Sequence, residues 1–155
     1  MSLLKEIRDD GLKAVGKSDA YLTSFYCHID SDNNHSEWIV HYYDQINDMM
    51  YSYNANTKSV QGPLEVFKEQ DFVPELDLDE VNCELDDALE TAREAALPVK
   101  DYKKIVVVLQ TIEEFPVWNI TLLSSSLQAL NVRIDARHGD LIRKEPIELF
   151  EFKSD

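Results

Sequence analysis

The fold prediction depends on the stretch Pro116-Val117-Trp118-Asn119-Ile120-Thr121-Leu122. Its apolar residues Trp118, Ile120 and Leu122 recur at every second position, which is typical of a β-strand with one buried face. A second strand follows and runs into a turn, Val132-Arg133-Ile134-Asp135-Ala136-Arg137-His138-Gly139-Asp140. These two segments place antiparallel strands in the last third of the chain.

A helix and another strand precede them. The helix is indicated by an apolar stripe at helical spacing, formed by Leu85, Ala88, Leu89, Ala92 and Ala96. Residues 104–109 are apolar at almost every position, so they predict a strand that is covered on both faces or lies at an interface. This half of the chain therefore predicts one helix followed by three strands.

The first half shows the same order at a nearly constant offset. A helical stripe (Leu4, Ile7, Gly11, Val15) precedes strands at residues 21–29, 38–43 and 49–53 and a short extended tail at 63–67. The stripe matches that of the second half at offset 81, and Trp38 matches Trp118 at offset 80. Either the chain is an internal duplication, or the spacing is simply that of any unit with one helix and three strands.

The predicted fold class is α+β, with two tandem α-β-β-β repeats and each helix packed on an antiparallel sheet. The first repeat spans residues 1–67 and the second spans 81–152. Residues 68–80 are acidic and contain Pro74, so they predict a connection at the surface.

The second half also resembles the PepSY-like domain, over roughly residues 79–145. In that family a helix with a recurrent alanine precedes three antiparallel strands and an Asp-Ala, two residues, Gly-Asp/Glu turn. The helix segment 87–92, the strand 116–121 and the turn 135–140 carry the resemblance, whereas the first-half turn at residues 54–58 lacks the glycine. The resemblance implies binding or inhibition of peptidases and other proteins.

Charge restricts the partners. Fifteen Lys and Arg against 30 Asp and Glu give a formal net charge of -15, which repels phosphate backbones and anionic lipids. Nucleic acid and membranes are therefore not expected as partners, and a basic protein or a cation is favoured, unless the charge serves solubility alone. The N-terminus alternates charges and lacks a signal-peptide pattern, which predicts a cytoplasmic protein.

No catalytic motif is present in the sequence, so we expect neither an enzyme nor a cofactor. A symmetric hairpin around residues 33–36 would place His28 opposite His41, and Asp30 could complete a divalent-metal site. A solvent-facing polar pair is the alternative. Only the metal-site interpretation allows the further alternative of a metal-dependent enzyme that uses His28 and His41.

Tyr and Met residues cluster in the second and third strands, and such residues are enriched at interfaces. Tyr43, Tyr51, Tyr53 and Met49 are therefore the candidate binding residues on an outer sheet face, unless they fill the core. The predicted function is a non-catalytic protein- or peptide-binding module, inhibitory or regulatory. The alternative is a homodimeric accessory protein whose strand at 105–109 is buried by the partner copy.

Overall fold

The structure is a computed structural model that describes residues 2–66 and 72–147. Helix α1 and four strands form the first half, and helix α2 and four strands form the second, with a short 3-10 helix between them. Their bounds are α1 Ser2–Val15, β1 Ala20–Asp30, β2 Ile39–Asp44, β3 Met49–Asn54, β4 Ser59–Leu64, 3-10 helix Leu78–Glu80, α2 Leu85–Ala96, β5 Tyr102–Ile112, β6 Phe115–Ser124, β7 Ala129–Asp135 and β8 Leu141–Ile147. No helix in the described residues is long and apolar enough to cross a bilayer.

All eight strands belong to one antiparallel sheet in the order β4-β3-β2-β1-β5-β6-β7-β8. The two halves join in the middle, where β1 pairs with β5 from Ser24 opposite Gln110 to Asp30 opposite Lys104. The prediction of two tandem α-β-β-β repeats, each helix on its own sheet, is therefore wrong. Each helix is followed by four strands rather than three. Two separate sheets would leave one edge of β1 and one edge of β5 unpaired, and in the single sheet these two edges pair with each other.

Both helices cover the same face of this sheet. Burial alternates along the central strands: Phe25, Cys27 and Ile29 of β1 are buried, whereas the residues between them are half-buried. These residues form one core with apolar residues of α1 and α2, such as Leu4 and Ala88. We call the opposite side of the sheet the open face.

Strand β5 is central, which explains its apolar sequence. It lies between β1 and β6, and Ile105, Val107 and Leu109 are buried by the chain's own helices and neighbouring strands. The burial of β5 therefore requires no partner copy. The apolar sequence of this strand was the reason for proposing a homodimer, and it no longer supports that alternative.

The predicted surface connection is partly core. Residues 67–71 lie outside the described part of the chain, but Leu76 and Leu78 are buried. The Leu76 amide donates to the Leu22 carbonyl at 2.9 Å, and the Thr111 hydroxyl donates to the Glu75 carbonyl at 2.7 Å. Leucine alternates with aspartate in this segment, which indicates burial on one side only. The sequence-based prediction gave more weight to the proline and to the acidic composition, and it therefore placed the whole segment at the surface.

The two tryptophans lie in the second strand of each half or beside it. Trp38 precedes β2 by one residue and packs its ring edge-on against Phe25, with centroids 5.8 Å apart. Trp118 is the fourth residue of β6, is fully buried, and donates from Nε1 to the Cys83 carbonyl at 2.9 Å. Neither residue begins its strand, and the duplication of the chain stays a prediction.

Candidate functional site

The tyrosines predicted as a binding surface are buried. Tyr51 and Tyr53 belong to the core on the helix-covered side, and Met49 packs against it. Tyr43 lies on the open face but is only 7% exposed, with its ring edge-on to Tyr21 and its hydroxyl donating to the Asp48 carboxylate. Because the three tyrosines are buried, their rings are unavailable to a partner. The cluster is explained by packing within the chain, which was the alternative to a binding surface.

The predicted histidine pair does not form. The hairpin is not symmetric about residues 33–36: His41 lies opposite Ser24, and the Ser24 hydroxyl lies 3.1 Å from His41 Nδ1. His28 is four residues further along β1, about 13 Å away at the rise of an extended strand. The two rings cannot share an ion at ligand distances near 2 Å. Among residues 2–66 and 72–147 the structure contains no group of three side chains that could hold a metal.

The turn that carries the PepSY resemblance has a structural role. Gly139 adopts φ +82°, and its amide donates to the Asp135 carbonyl at 2.7 Å. The Ala136 carbonyl accepts from the amides of Asn82 and Cys83, both at 2.9 Å. The turn thus fixes the segment that leads into α2 through backbone hydrogen bonds.

A groove on the helix-covered side is the most distinctive concave feature for binding. It has a volume of about 650 Å³ and lies between α2, the end of β1 with its following turn, and the segment 97–101. We call it the acidic groove, because five carboxylates and only two cations line it. Its lining residues are Asp30, Ser31, Asn33, Asp86, Leu89, Glu90, Arg93, Glu94, Leu97, Val99, Lys100, Asp101, Tyr102 and Ile105.

One wall of the acidic groove is a charged stripe on α2. Asp86, Glu90 and Glu94 are spaced four residues apart, so they lie one above the other on the same helix face. Like charges at this spacing destabilise an isolated helix. The buried alanines of α2 anchor the helix on β6 and β7, which lets the exposed face retain three carboxylates in a row.

The opposite wall is the end of β1, where Asp30 is held rigidly. Its Oδ1 accepts hydrogen bonds from the amides of Asp32 and Asn34, both at 2.9 Å. These bonds, above all the one from Asn34, lower the pKa of the Asp30 carboxyl. The carboxylate therefore stays ionised and fixed in direction. Arg93 spans the groove, with Nη2 3.4 Å from the Asn33 side-chain oxygen.

The floor of the acidic groove is apolar. Leu89 and Ile105 are buried beneath it, and the half-buried Val99 and Tyr102 form its end. The Tyr102 hydroxyl donates to the Val99 carbonyl at 2.8 Å, so the ring rather than a free polar group faces the cavity. An apolar floor between carboxylate walls suits a ligand that has both cationic and apolar groups.

The open face offers a second surface of different character. Tyr26, Val108, Asn119 and Arg133 lie side by side across four strands. The buried atoms His28 Nδ1 and Arg133 Nε have no hydrogen-bond partner in the described residues. The row contains one aromatic, one aliphatic, one amide and one cationic side chain, so it has no single recognisable ligand chemistry.

Sequence reasoning missed the acidic groove. Acidic residues are abundant in this chain, so no single carboxylate stands out as part of a site. The spacing of Asp86, Glu90 and Glu94 is a signal that could have been found, but Asp30 and Asp101 join them only through the fold.

Comparison with known proteins supports the fold but no function. No protein-family model matches the chain, and a comparison with curated proteins finds no match. The fold is similar to that of a crystal structure from Clostridium difficile described as a “putative lipoprotein”, with a TM-score of 0.60 and 17% sequence identity over 93% of this chain and 90% of that chain. A likeness at this identity shows a shared fold alone.

Proposed function

We propose that this chain is a non-catalytic binding module that takes a basic segment of a protein or peptide in the acidic groove. The observation that carries the proposal is the pairing of an apolar floor with two walls of carboxylates. The net charge of -15 adds long-range attraction for a basic partner. The resemblance of the second half to PepSY-like domains supports a binding role independently of the groove.

The shape of the acidic groove sets the kind of ligand. Ligand cavities commonly enclose about 300–1,000 Å³, and this groove, at about 650 Å³, accommodates a few side chains rather than a folded surface. Lys and Arg side chains fit it in particular, because their methylene stems can cover Leu89 and Ile105 while their charged ends reach Glu90 or Asp30.

The test is binding of a fluorescein-labelled peptide of alternating Lys and Ala, followed by fluorescence anisotropy at low and at physiological ionic strength. Replacing two wall carboxylates, Glu90→Lys with Glu94→Lys, should weaken binding by about tenfold or more. The matched control is Glu113→Lys with Glu114→Lys, which changes the net charge equally at the β5–β6 turn, the far end of β5 from the groove.

The control should bind the peptide almost as well as the wild type. Equal loss in the two double variants would mean that the peptide responds only to the overall field, and the proposed site would be wrong. Absence of measurable binding to the wild type at low ionic strength would reject the proposed function itself.

A further inference from the structure

A second cavity adjoins the acidic groove and differs from it in chemistry. This apolar pocket, about 630 Å³ in volume, lies between the C-terminal end of α2, the β6–β7 turn and β8. Its lining includes Ala95, Ala96, Leu127, Leu130 and Ile147, and no charged side chain is among the residues that line it. In a chain that is 29% charged, an uncharged cavity of this size marks a site for an apolar group.

The apolar pocket lies directly beside the acidic groove. Val99 and Tyr102 line both cavities, so these two side chains form their common wall. Leu97 on the groove side is 54% exposed, and Leu127 on the pocket side is 44% exposed. An exposed apolar side chain therefore borders each cavity, where an apolar group of a ligand could cover it.

The polar side chains that line the apolar pocket are those of Tyr102, Ser124 and Gln128, and none of them is charged. Ser124 Oγ lies 3.0 Å from Ser126 Oγ and accepts from the Gln128 amide at 3.1 Å. The Tyr102 hydroxyl is already bonded to the Val99 carbonyl. Small residues, Ala95 and Ala96 on the helix and Ala129 on β7, leave the space that a large side chain could fill.

We infer that the apolar pocket receives a bulky apolar side chain of the same segment whose basic residues occupy the acidic groove. The ligand class is thus a peptide segment in which Lys or Arg residues stand next to an aromatic residue or leucine. This inference rests on the proposed function. It adds that an aromatic residue or leucine in the bound segment would distinguish it from other basic segments. Buried aromatic anchors commonly dominate the affinity of such contacts, whereas charges at the rim contribute less.

The test compares two peptides that differ at one position. Both are the Lys–Ala repeat, and one has a Trp in place of a central Ala. The wild-type protein should bind the Trp peptide about tenfold more tightly, the order expected for one buried aromatic anchor. Ala95→Phe, which fills the pocket from the helix, should remove this preference while leaving the affinity for the Ala peptide unchanged.

A second variant tests the same pocket in case Ala95→Phe does not fold. Leu127 has φ +64°, a backbone conformation that asparagine tolerates well, so Leu127→Asn should fold and make the pocket rim polar. It should reduce the Trp preference several-fold. Circular dichroism checks the fold of both variants.

The outcomes separate the two proposals. If both peptides bind the wild type equally and the Glu90→Lys, Glu94→Lys variant loses both, the proposed function holds and the anchor pocket is wrong. If the Trp preference survives in folded Ala95→Phe or Leu127→Asn, the anchor lies elsewhere and the inference is overturned. If neither peptide binds the wild type, the proposed function fails and the inference fails with it.

Discussion

At the scale of single residues, Gly11 shows how closely α1 approaches the sheet. A Cβ atom at Gly11 would lie 2.0 Å from the Tyr42 hydroxyl oxygen and 2.7 Å from Cζ of the same ring. That hydroxyl donates to the Arg8 carbonyl at 2.8 Å, so the ring is fixed against the helix. The glycine is retained inside a helix because the helix rests on the tyrosine.

We expect Gly11→Ala to lower the free energy of unfolding by about 1–3 kcal/mol, the usual cost of overpacking. This reverses the gain of about 0.5–1 kcal/mol that alanine normally brings within a helix. Urea denaturation measures the difference. In a Tyr42→Leu background the same substitution should be neutral or stabilising, and an equal cost in both backgrounds would show that the clash is not its cause.

Asp135 predicts a pH dependence. Burial raises its pKa, but the hydrogen bonds and charge of Arg137 outweigh burial, so the pKa of this carboxyl lies below its ordinary value of 3.8. A group with a lowered pKa in the folded state stabilises the protein above 3.8, and this contribution is lost as the pH falls through the folded value. Stability should therefore decrease on acidification below pH 3.8.

Asp135→Asn should be less stable than the wild type at neutral pH and should lose less stability below pH 3.8. Urea midpoints recorded from neutral to acidic pH measure both slopes. Parallel curves for the two proteins would contradict the assignment to Asp135.

The two thiols should be unreactive in the folded protein. Cys27 is fully buried, and burial raises the pKa of its thiol to about 12. Burial also raises the pKa of Cys83, with nearby carboxylates adding to the effect. Because the thiolate is the reactive form, an aromatic disulfide reagent at neutral pH should label neither cysteine until denaturant is added. Rapid labelling of the native protein would contradict this burial.

At the scale of elements, α2 combines two functions on two faces. Its alanine face packs on the sheet, and its opposite face presents Asp86, Glu90 and Glu94 to the acidic groove. The like-charge spacing costs stability that a ligand cation would restore. The helix is therefore expected to show a trade-off between stability and binding.

Glu90→Gln removes the middle charge and with it two repulsive pairs. We expect it to raise the free energy of unfolding by about 0.5 kcal/mol at low ionic strength, and to weaken binding of the Lys–Ala peptide. High salt should abolish the stability gain. Glu114→Gln, at the β5–β6 turn, is the control and should change neither quantity; a stabilising effect of the same size there would mean that only net charge matters.

At the scale of the whole molecule, the pairing of β1 with β5 makes the two halves one unit. Seven residue pairs join these strands, and Leu76 and Leu78 complete the core between the halves. A single core and a single sheet favour one cooperative unfolding transition.

A fragment of residues 1–66 should therefore not fold by itself. It lacks the partner of β1, and its exposed strand edge would favour aggregation. Circular dichroism with thermal melting measures this, with the full chain as control. A cooperative melt of the fragment would show that the halves are independent and that the β1–β5 pairing is secondary.

The sequence by itself determined the local elements. Helical spacing located α1 and α2, because this periodicity is set by the backbone within each element. Alternation, aromatic and β-branched composition and, for β5, a continuous apolar run located β1, β2, β3, β5, β6 and β7. The sequence did not locate the edge strands: it predicted only an extended tail at 63–67 where β4 spans Ser59–Leu64, and it missed β8. Residues 141–147 are exposed throughout and residues 59–64 are exposed except Val60, and an edge strand with almost no buried face has no alternation to detect. The composition likewise determined the net negative charge of the protein, but not which carboxylates lie close together in the folded chain.

Only the tertiary structure decided which strands pair and which side chains converge. The single sheet depends on β1 meeting β5, whose paired residues are about 80 positions apart in the sequence. The connection between β1 and β2 sets a register in which His41 lies opposite Ser24 rather than His28. The acidic groove joins Asp30 to Glu90, which are 60 positions apart in the sequence. Pairing and convergence are non-local, because they follow from which buried faces meet, and no periodicity within one element encodes that choice.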